Sequence, residues 1–219
     1  MPDFDPAHVD RGGPPHRYPG GPLQVTKVHV GPYENNAYLL RDPESGEALL
    51  VDAANEAERL LAELIGDARL VGIVTTHRHY DHSQALAGVL RAHEVWNGAH
   101  PADADAIAEQ AGVTPDRLLE HGDSLRVGRH AVTVLHTPGH TDGSICFLLP
   151  AGQVLTGDAL FPGGVGKTDG PAAFAQAIAS AERHLLSLPG DTRVSPGHGD
   201  DTRVDRELPQ LDEWKARGW

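Results

Sequence analysis

Cysteine is almost absent from this 219-residue sequence, which contains only Cys146. A single cysteine excludes an intramolecular disulfide bond and is typical of a protein in a reducing compartment. The sequence also lacks any apolar run near the length of about 18 residues that a membrane span needs. Its first residues, MPDFDPAHVD, have neither the basic start nor the apolar stretch of a secretory signal. These absences together predict a cytoplasmic protein that has no membrane partner.

Clusters of lysine and arginine are absent as well. The chain has 18 basic and 31 acidic residues, which give a formal net charge of −13. A nucleic-acid-binding surface needs positive charge to meet the phosphate backbone, so this balance argues against a nucleic acid partner. The G-x-S-x-G motif of serine hydrolases is also missing. Histidine, by contrast, is abundant with 14 residues, and several of them cluster.

Strand-like and helix-like patterns occur in both halves of the chain. Residues 1–22 hold six prolines and four glycines, which predicts an irregular N-terminal arm, and we interpret residues 23–219 as one domain. Apolar and alternating runs predict strands at LQVTKVHV, NAYLLRD, ALLVDA, RLVGIVTT, DSLRVG, AVTVLHT, SICFLLP, QVLTGD and TRVSP. Helices are expected from Asn55 as N-cap, over 82–93 and 101–110, in PAAFAQAIASAERHLLSL and near the C-terminus. This mixture favours a layered α/β architecture in which helices cover sheets.

Residues 75–86 read TTHRHYDHSQAL and follow the predicted strand RLVGIVTT. In an extended segment, residues two apart point to the same side, so His77 and His79 can direct both imidazoles at one metal ion. As the chain turns into the next helix, Asp81 and His82 would face a neighbouring position. Ligand sites in α/β proteins collect beyond the carboxyl ends of strands. The stretch therefore predicts the mouth of a metal site.

Three further stretches place a possible metal ligand just beyond a predicted strand. They are HTPGHTDGS with His140, TGDALF with Asp158, and SPGHGDD with His198. Four strand ends could thus supply one constellation of imidazoles and carboxylates. These donors suit zinc, with iron and manganese as alternatives.

The ordered set of these seven residues resembles the metallo-β-lactamase superfamily over about residues 23–200. The resemblance implies an α/β fold, a four-layer αββα sandwich of two mixed β-sheets, with a dinuclear site in the cleft between the sheets. It implies two Zn²⁺ per chain, with three ligands for the first metal, three for the second, and one bridging residue. By this resemblance, His77, His79 and His140 would hold the first metal. Asp81, His82 and His198 would hold the second metal, and Asp158 would bridge the two. Asp81 and Asp158 would also be catalytic, and Asp52 matches a family aspartate that supports the ligands from behind.

The stretch TGDALFPGGVGK is similar to the glyoxalase II branch, whose members hydrolyse glutathione thioesters. Two features depart from that branch. Gly164-Val165-Gly166-Lys167 stands where Gly-Cys-Gly-Arg is usual, and only 21 residues follow His198 (219 − 198), too few for the branch's C-terminal helical segment. We therefore expect a metal-dependent hydrolase of another small thioester or ester. Its partner would be a small-molecule acyl substrate, which Lys167 and Tyr80 would contact.

Other functions remain open at this point. A persulfide dioxygenase would use one iron held by residues that match His77, His140 and Asp158, and the Gly-Lys-Thr-Asp stretch here is similar to one in those enzymes. A lactonase of the same superfamily has a similar ligand set, and a metal-stabilised binding module is a non-enzymatic alternative. Two zinc ions per chain would favour hydrolysis, whereas one iron would favour oxygenation. The sequence does not indicate the oligomeric state.

Overall fold

The first half of the chain builds a seven-stranded mixed sheet. The computed structural model describes residues 4–218. The strands lie side by side in chain order: β1 His16–Gly20, β2 Leu23–Val30, β3 Asn35–Arg41, β4 Glu47–Val51, β5 Arg69–Val74, β6 Trp96–Ala99 and β7 Arg117–Leu118. Neighbours from β1 to β4 pair antiparallel, and those from β4 to β7 pair parallel. The parallel part brings the carboxyl ends of β5 and β6 to one edge.

The second half builds a six-stranded mixed sheet. Its strands are β8 Ser124–Val127, β9 His130–His136, β10 Ile145–Leu149, β11 Gln153–Gly157, β12 Arg193–Pro196 and β13 Thr202–Arg203. They lie in the order β13-β12-β11-β10-β9-β8, and all neighbours are antiparallel except β11 and β12.

Helices occupy the connections of both sheets. They are α1 Ala57–Arg59, continued by a π-helix Leu60–Ile65; α2 Leu86–Ala92; α3 Pro101–Ala111; α4 Pro171–His184; α5 Val204–Glu207; and α6 Leu211–Arg217. Short 3₁₀ turns form at Tyr80–His82 and Leu208–Gln210. Within residues 4–218, no helix combines the length and hydropathy needed to cross a membrane.

Three buried apolar clusters show that the molecule has four layers. Leu49 packs between the two sheets, whereas its neighbour Leu50 faces the helices that cover the first sheet. Phe147 likewise packs between the sheets, whereas Cys146 packs against α4 and α6 on the outside of the second sheet. Alternate side chains of each strand therefore enter different clusters, and both faces of each sheet are covered. The predicted αββα sandwich of two mixed sheets is confirmed.

The predicted irregular arm is wrong for residues 16–20, which form β1. This strand pairs with β2 over its whole length, and Pro19 lies opposite Gln24. Because β1 is at the sheet's edge, a proline that cannot donate a hydrogen bond is tolerated there. Residues 1–3 and 219, at the ends of the predicted arm and domain, lie outside the described residues.

Two predicted helix starts also differ from the structure. Asn55 is not the N-cap: α1 begins after Glu56, which has a φ of 53°, and the Asn55 side chain accepts a hydrogen bond from Glu56 N at 2.7 Å. The Asn55 amide instead donates to Gln84, at the start of the next helical region. The helix expected from residue 82 begins at Leu86, because residues 80–82 form a 3₁₀ turn that carries two of the predicted ligands.

Candidate metal centre

The seven predicted ligands converge at one edge of the sandwich, from loops that follow β5, β9, β11 and β12. They form two sets of side chains whose ligating atoms lie within 4.8 Å of one another. The first donor group comprises His77, His79, His140 and Asp158. The second donor group comprises Asp81, His82 and His198. Strand ends that are distant in the sequence thus supply one site, as the sequence predicted.

The imidazoles of the first donor group have the spacing of ligands around one ion. Nε2 of His77 lies 3.0 Å from Nδ1 of His79 and 3.2 Å from Nε2 of His140. Zinc–nitrogen bonds of about 2.0–2.1 Å in a tetrahedral site place the ligand atoms roughly 3.3 Å apart. Oδ2 of Asp158 lies 3.4 Å from Nε2 of His140, so one oxygen faces the same centre.

The second donor group is complete beside the first. Nε2 of His82 lies 3.2 Å from Nε2 of His198, and Oδ2 of Asp81 lies 3.5 Å from the same His198 atom. The Asn35 side-chain amide donates to Asp81 Oδ2 at 2.9 Å and fixes the direction of that carboxylate. Two nitrogens and one oxygen therefore surround a second position.

Asp158 lies between the two groups. Its Oδ1 is 3.4 Å from Nε2 of His82, and its Oδ2 is 3.5 Å from Nε2 of His198. Oδ1 is buried and has no hydrogen-bond partner among residues 4–218. A buried carboxylate oxygen without a donor is costly unless a cation neutralises it. The His/Asp cluster therefore fits a dinuclear metal site.

Backbone carbonyls set the tautomers of two ligand histidines. Nδ1 of His140 donates to the Lys167 carbonyl oxygen, and Nδ1 of His198 donates to the Tyr33 carbonyl oxygen, both at 2.6 Å. Because a carbonyl can only accept, each ring carries its proton on Nδ1. The lone pair of Nε2 is then free to face the centre, as in metal sites of proteins.

The Asp52 carboxylate sets the tautomer of a third ligand histidine, His82. It is 2% exposed, and Oδ2 accepts a hydrogen bond from His82 Nδ1 at 2.8 Å. Its Oδ1 accepts from the backbone N of Thr76, and Oδ2 also accepts from the Thr76 hydroxyl, both at 2.8 Å. That hydroxyl in turn lies 3.0 Å from Nδ1 of His77. The structure thus places Asp52 directly behind the ligands, and its supporting role stays a prediction.

The electrostatics of the centre favour a cation. Burial, followed by the neighbouring His82, holds the pKa of His77 well below its usual value, and burial also lowers the pKa of His79. Burial opposes charge on His82 too, but the carboxylates of Asp52 and Asp158 outweigh it and raise its pKa to about 9. Burial likewise opposes the charge on Asp158, yet the facing imidazoles, His82 foremost, hold its pKa below the usual range. Asp158 therefore stays ionised, beside neutral imidazoles at His77 and His79 and, in the metal-free protein, a protonated His82.

The two predicted substrate contacts lie at the rim. Tyr80 is 58% exposed on the 3₁₀ turn between two ligands. Lys167 is exposed as well, and its contact with the centre is the backbone carbonyl that orients His140. Their roles with substrate stay predictions.

Asn35 and the Tyr33 carbonyl support the centre without having been predicted. The signal that could have revealed Asn35 is the polar pair Asn35-Asn36 at the start of an otherwise apolar strand, where both side chains are buried.

Comparison with known proteins identifies the family. The model of the Metallo-beta-lactamase superfamily matches residues 30–198, a range that contains all seven ligands. The human mitochondrial persulfide dioxygenase is 37% identical over 183 residues, covering 82% of this chain and 69% of that protein. The hydroxyacylglutathione hydrolase GloC of Haemophilus influenzae is 33% identical over 204 residues, covering 84% of this chain and 95% of that protein. The crystal structure of TTHA1623 in a di-iron-bound form shares 38% identity at a TM-score of 0.69, covering 83% of this chain and 96% of the other. The chain belongs to the metallo-β-lactamase superfamily.

Proposed function

We propose that this protein is a metal-dependent hydrolase of the glyoxalase II-like type, which cleaves a small thioester or ester. The observation that carries the proposal is the complete second donor group, which touches the first through the shared carboxylate of Asp158. Two bound divalent cations would lower the pKa of a shared water toward about 7 and polarise the acyl carbonyl. We favour two Zn²⁺ per chain. Iron and manganese belong in the same test because the related TTHA1623 has a di-iron-bound form.

The two carboxylates have different parts in this proposal. Asp158 stays ionised between the imidazoles and holds both donor groups at a fixed separation. Asp81 is directed by Asn35 and lies at the open side of the second group, where its side chain is 25% exposed. A carboxylate so placed can take the proton of the attacking water and return it to the leaving thiolate.

Chain length no longer argues against a glutathione thioester. The hydroxyacylglutathione hydrolase GloC is covered to 95% of its length, so a relative of similar size bears that name. A small non-glutathione thioester therefore stays a prediction beside the glutathione thioester, and direct assay separates them. We propose the cytoplasm as the location, and neither nucleic acid nor membrane as a partner, on the composition alone.

A persulfide dioxygenase is the second candidate. The relative with that name is 37% identical to this chain, and the residues expected to hold its single iron, His77, His140 and Asp158, all lie in the first donor group. This reaction would not need the second donor group. The two functions therefore predict different metal contents and different effects of replacing His198.

The test begins with protein stripped of metal by a chelator and reloaded separately with Zn²⁺, Mn²⁺ or Fe²⁺. Metal content is measured, together with thiol release from a hydroxyacylglutathione and from the same acyl group on a simple thiol. Oxygen uptake is followed with glutathione persulfide. A hydrolase loses thiol release in both His140→Ala and His198→Ala. Iron-dependent oxygen uptake that survives His198→Ala, without thiol release under any metal, would reject the hydrolase in favour of the dioxygenase.

A further inference from the structure

Asp103 is a buried carboxylate that belongs to neither donor group. It lies in the first turn of α3, and its side chain is 0% exposed. Oδ2 accepts hydrogen bonds from the backbone N of Arg78 at 2.8 Å and from the Thr141 hydroxyl at 2.6 Å. Oδ1 accepts from Arg78 Nη1 at 2.8 Å and from the backbone N of Gly143 at 3.1 Å. Four donors therefore satisfy one carboxylate that water does not reach.

These donors are chain neighbours of the first donor group. Arg78 stands between His77 and His79, and Thr141 directly follows His140. The carboxylate thus joins the loop after β5, from the first sheet, to the loop after β9, from the second sheet. All three imidazoles of the first group are carried by the two loops that Asp103 fastens together.

The contact leaves little freedom for either loop. A Cβ added at Gly143 would lie 2.5 Å from Cγ and 2.7 Å from Cβ of Asp103, so the loop backbone packs directly on the carboxylate. The Asp103 backbone is itself fixed, because its N donates to the His100 carbonyl in the first turn of the helix. Helix, carboxylate and both loops therefore form one rigid contact.

Asp81 and His82 of the second donor group follow on the same loop after β5, but the side chains of this group have supports of their own, and Asn35 holds Asp81. His82 is fixed by Asp52, and His198 is fixed by the Tyr33 carbonyl. We propose that Asp103 is a positioning residue that sets the geometry, and hence the metal affinity, of the first donor group selectively. This inference rests on the proposed function only in requiring that the first donor group binds a cation.

The test compares Asp103→Asn with a matched control. Asp42→Asn alters another buried aspartate, which accepts hydrogen bonds from Glu44 N and the Ser45 hydroxyl in a turn away from the centre. Chelator-stripped protein is titrated with Co²⁺, and the visible absorption is followed. His140→Ala and His198→Ala provide reference spectra, each lacking one ligand of one group. Circular dichroism confirms that each variant is folded.

We expect Asp103→Asn to lower the Co²⁺ affinity of the first donor group about 10- to 100-fold, as loss of a hydrogen-bond partner of the ligands does in metal sites. The absorption band of the Co²⁺ bound there should also shift. The Co²⁺ affinity of the second donor group should be unchanged in Asp103→Asn. In Asp42→Asn, both Co²⁺ affinities should match those of the unaltered protein. Thr141→Val removes only one of the four donors, remains folded more readily, and should weaken the same step to a smaller degree.

Failures of the two ideas are distinguishable. If the unaltered protein takes up none of Co²⁺, Zn²⁺, Mn²⁺ and Fe²⁺, the metal centre itself is rejected. If the unaltered protein binds two ions and folded Asp103→Asn binds them identically, only the positioning role is overturned. Equal weakening of both steps in Asp103→Asn and Thr141→Val would also overturn it, because selectivity for the first group is the claim.

Discussion

Replacing Asp52 by asparagine should reverse the tautomer of His82. Oδ1 of Asp52 accepts from the backbone N of Thr76, and Oδ2 accepts from Nδ1 of His82. The Thr76 backbone N–H is fixed and still needs an acceptor, whereas the Thr76 hydroxyl can rotate and accept instead of donating. The asparagine oxygen therefore takes the position of Oδ1 and its NH₂ replaces Oδ2. That NH₂ can only donate, so the His82 proton moves to Nε2. Nε2 is the atom that faces His198 and Asp158, and its lone pair is lost to a metal.

The size of this effect follows from the contacts. Restoring the correct tautomer in Asp52→Asn would set two N–H donors against each other in a buried place, since His82 is fully buried. An unsatisfied buried donor costs about 1–3 kcal/mol. At roughly 1.4 kcal/mol for each factor of ten, we expect the second donor group to lose about 100-fold in metal affinity. This is the upper end of what outer partners of metal ligands usually contribute.

Competition with a chelator measures the affinity of Asp52→Asn for each of two Zn²⁺ ions. ¹⁵N NMR of the imidazoles reports the His82 tautomer in the zinc-free protein at a pH above the His82 pKa of about 9, where the ring is neutral. Asp42→Asn is the control, because it is equally buried but lies in a turn beside Gly128. Two zinc affinities within threefold of the unaltered protein would refute the reasoning. So would an unchanged His82 tautomer.

Three further predictions concern the centre and the contacts around it. Asp158→Ala should lose bound metal and turnover together, and metal analysis showing two ions with full thiol release would contradict the bridging role. Lys27→Met should lower the free energy of unfolding by about 2 kcal/mol in urea titrations. It breaks the 2.9 Å ion pair between the Lys27 and Asp201 side chains, which are 1% and 0% exposed, and leaves Asp201 paired with Arg193 at 3.0 Å. Arg41→Met, which removes an exposed ion pair, should cost under about 1 kcal/mol; similar costs for both would reject the argument. In the metal-free protein the pKa of His82 is raised to about 9, so the ring keeps its extra proton between pH 6.5 and 9. A metal must displace that proton, so the metal affinity of the second donor group should rise about tenfold per pH unit in this window. Affinity that is flat from pH 7 to 8.5 would contradict this displacement.

Sequence reasoning succeeded where the informative residues are local. The spacing of His77 and His79 after an apolar strand defines their common direction without any knowledge of the rest of the fold. His140, Asp158 and His198 could be predicted because each immediately follows a strand-like run, and strand ends meet at a sheet edge. The assignment of donors to two groups needed the family resemblance, and the separations of the ligand atoms in the fold show that these side chains converge.

Asp103 could not be found in this way. Its partners are 25, 38 and 40 residues away along the chain, and an aspartate in the first turn of a helix is common for reasons of the helix dipole alone. Nothing local distinguishes a solvated carboxylate from one that joins two loops.

The strands β6 and β7 were missed for a related reason. They have four and two residues, and β6 contains Gly98, so neither shows a pattern of its own. They form because neighbours complete them: Asn97 N donates to Asp116, and Leu119 N donates to the Ala99 carbonyl. The wrong prediction of Asn55 as the N-cap of α1 has a similar cause, since the Asn55 amide donates to Gln84, 29 residues away.

The division of the donors between the sheets has a consequence for assembly. His77, His79, Asp81 and His82 come from the part of the chain that builds the first sheet, whereas His140, Asp158 and His198 come from the part that builds the second. Each donor group draws on both parts, so a fragment ending after β7 would carry four ligands and no complete group. Ions bound at both donor groups would cross-link the two halves of the sandwich. Each ion could find its full set of ligands only after the two halves have packed together.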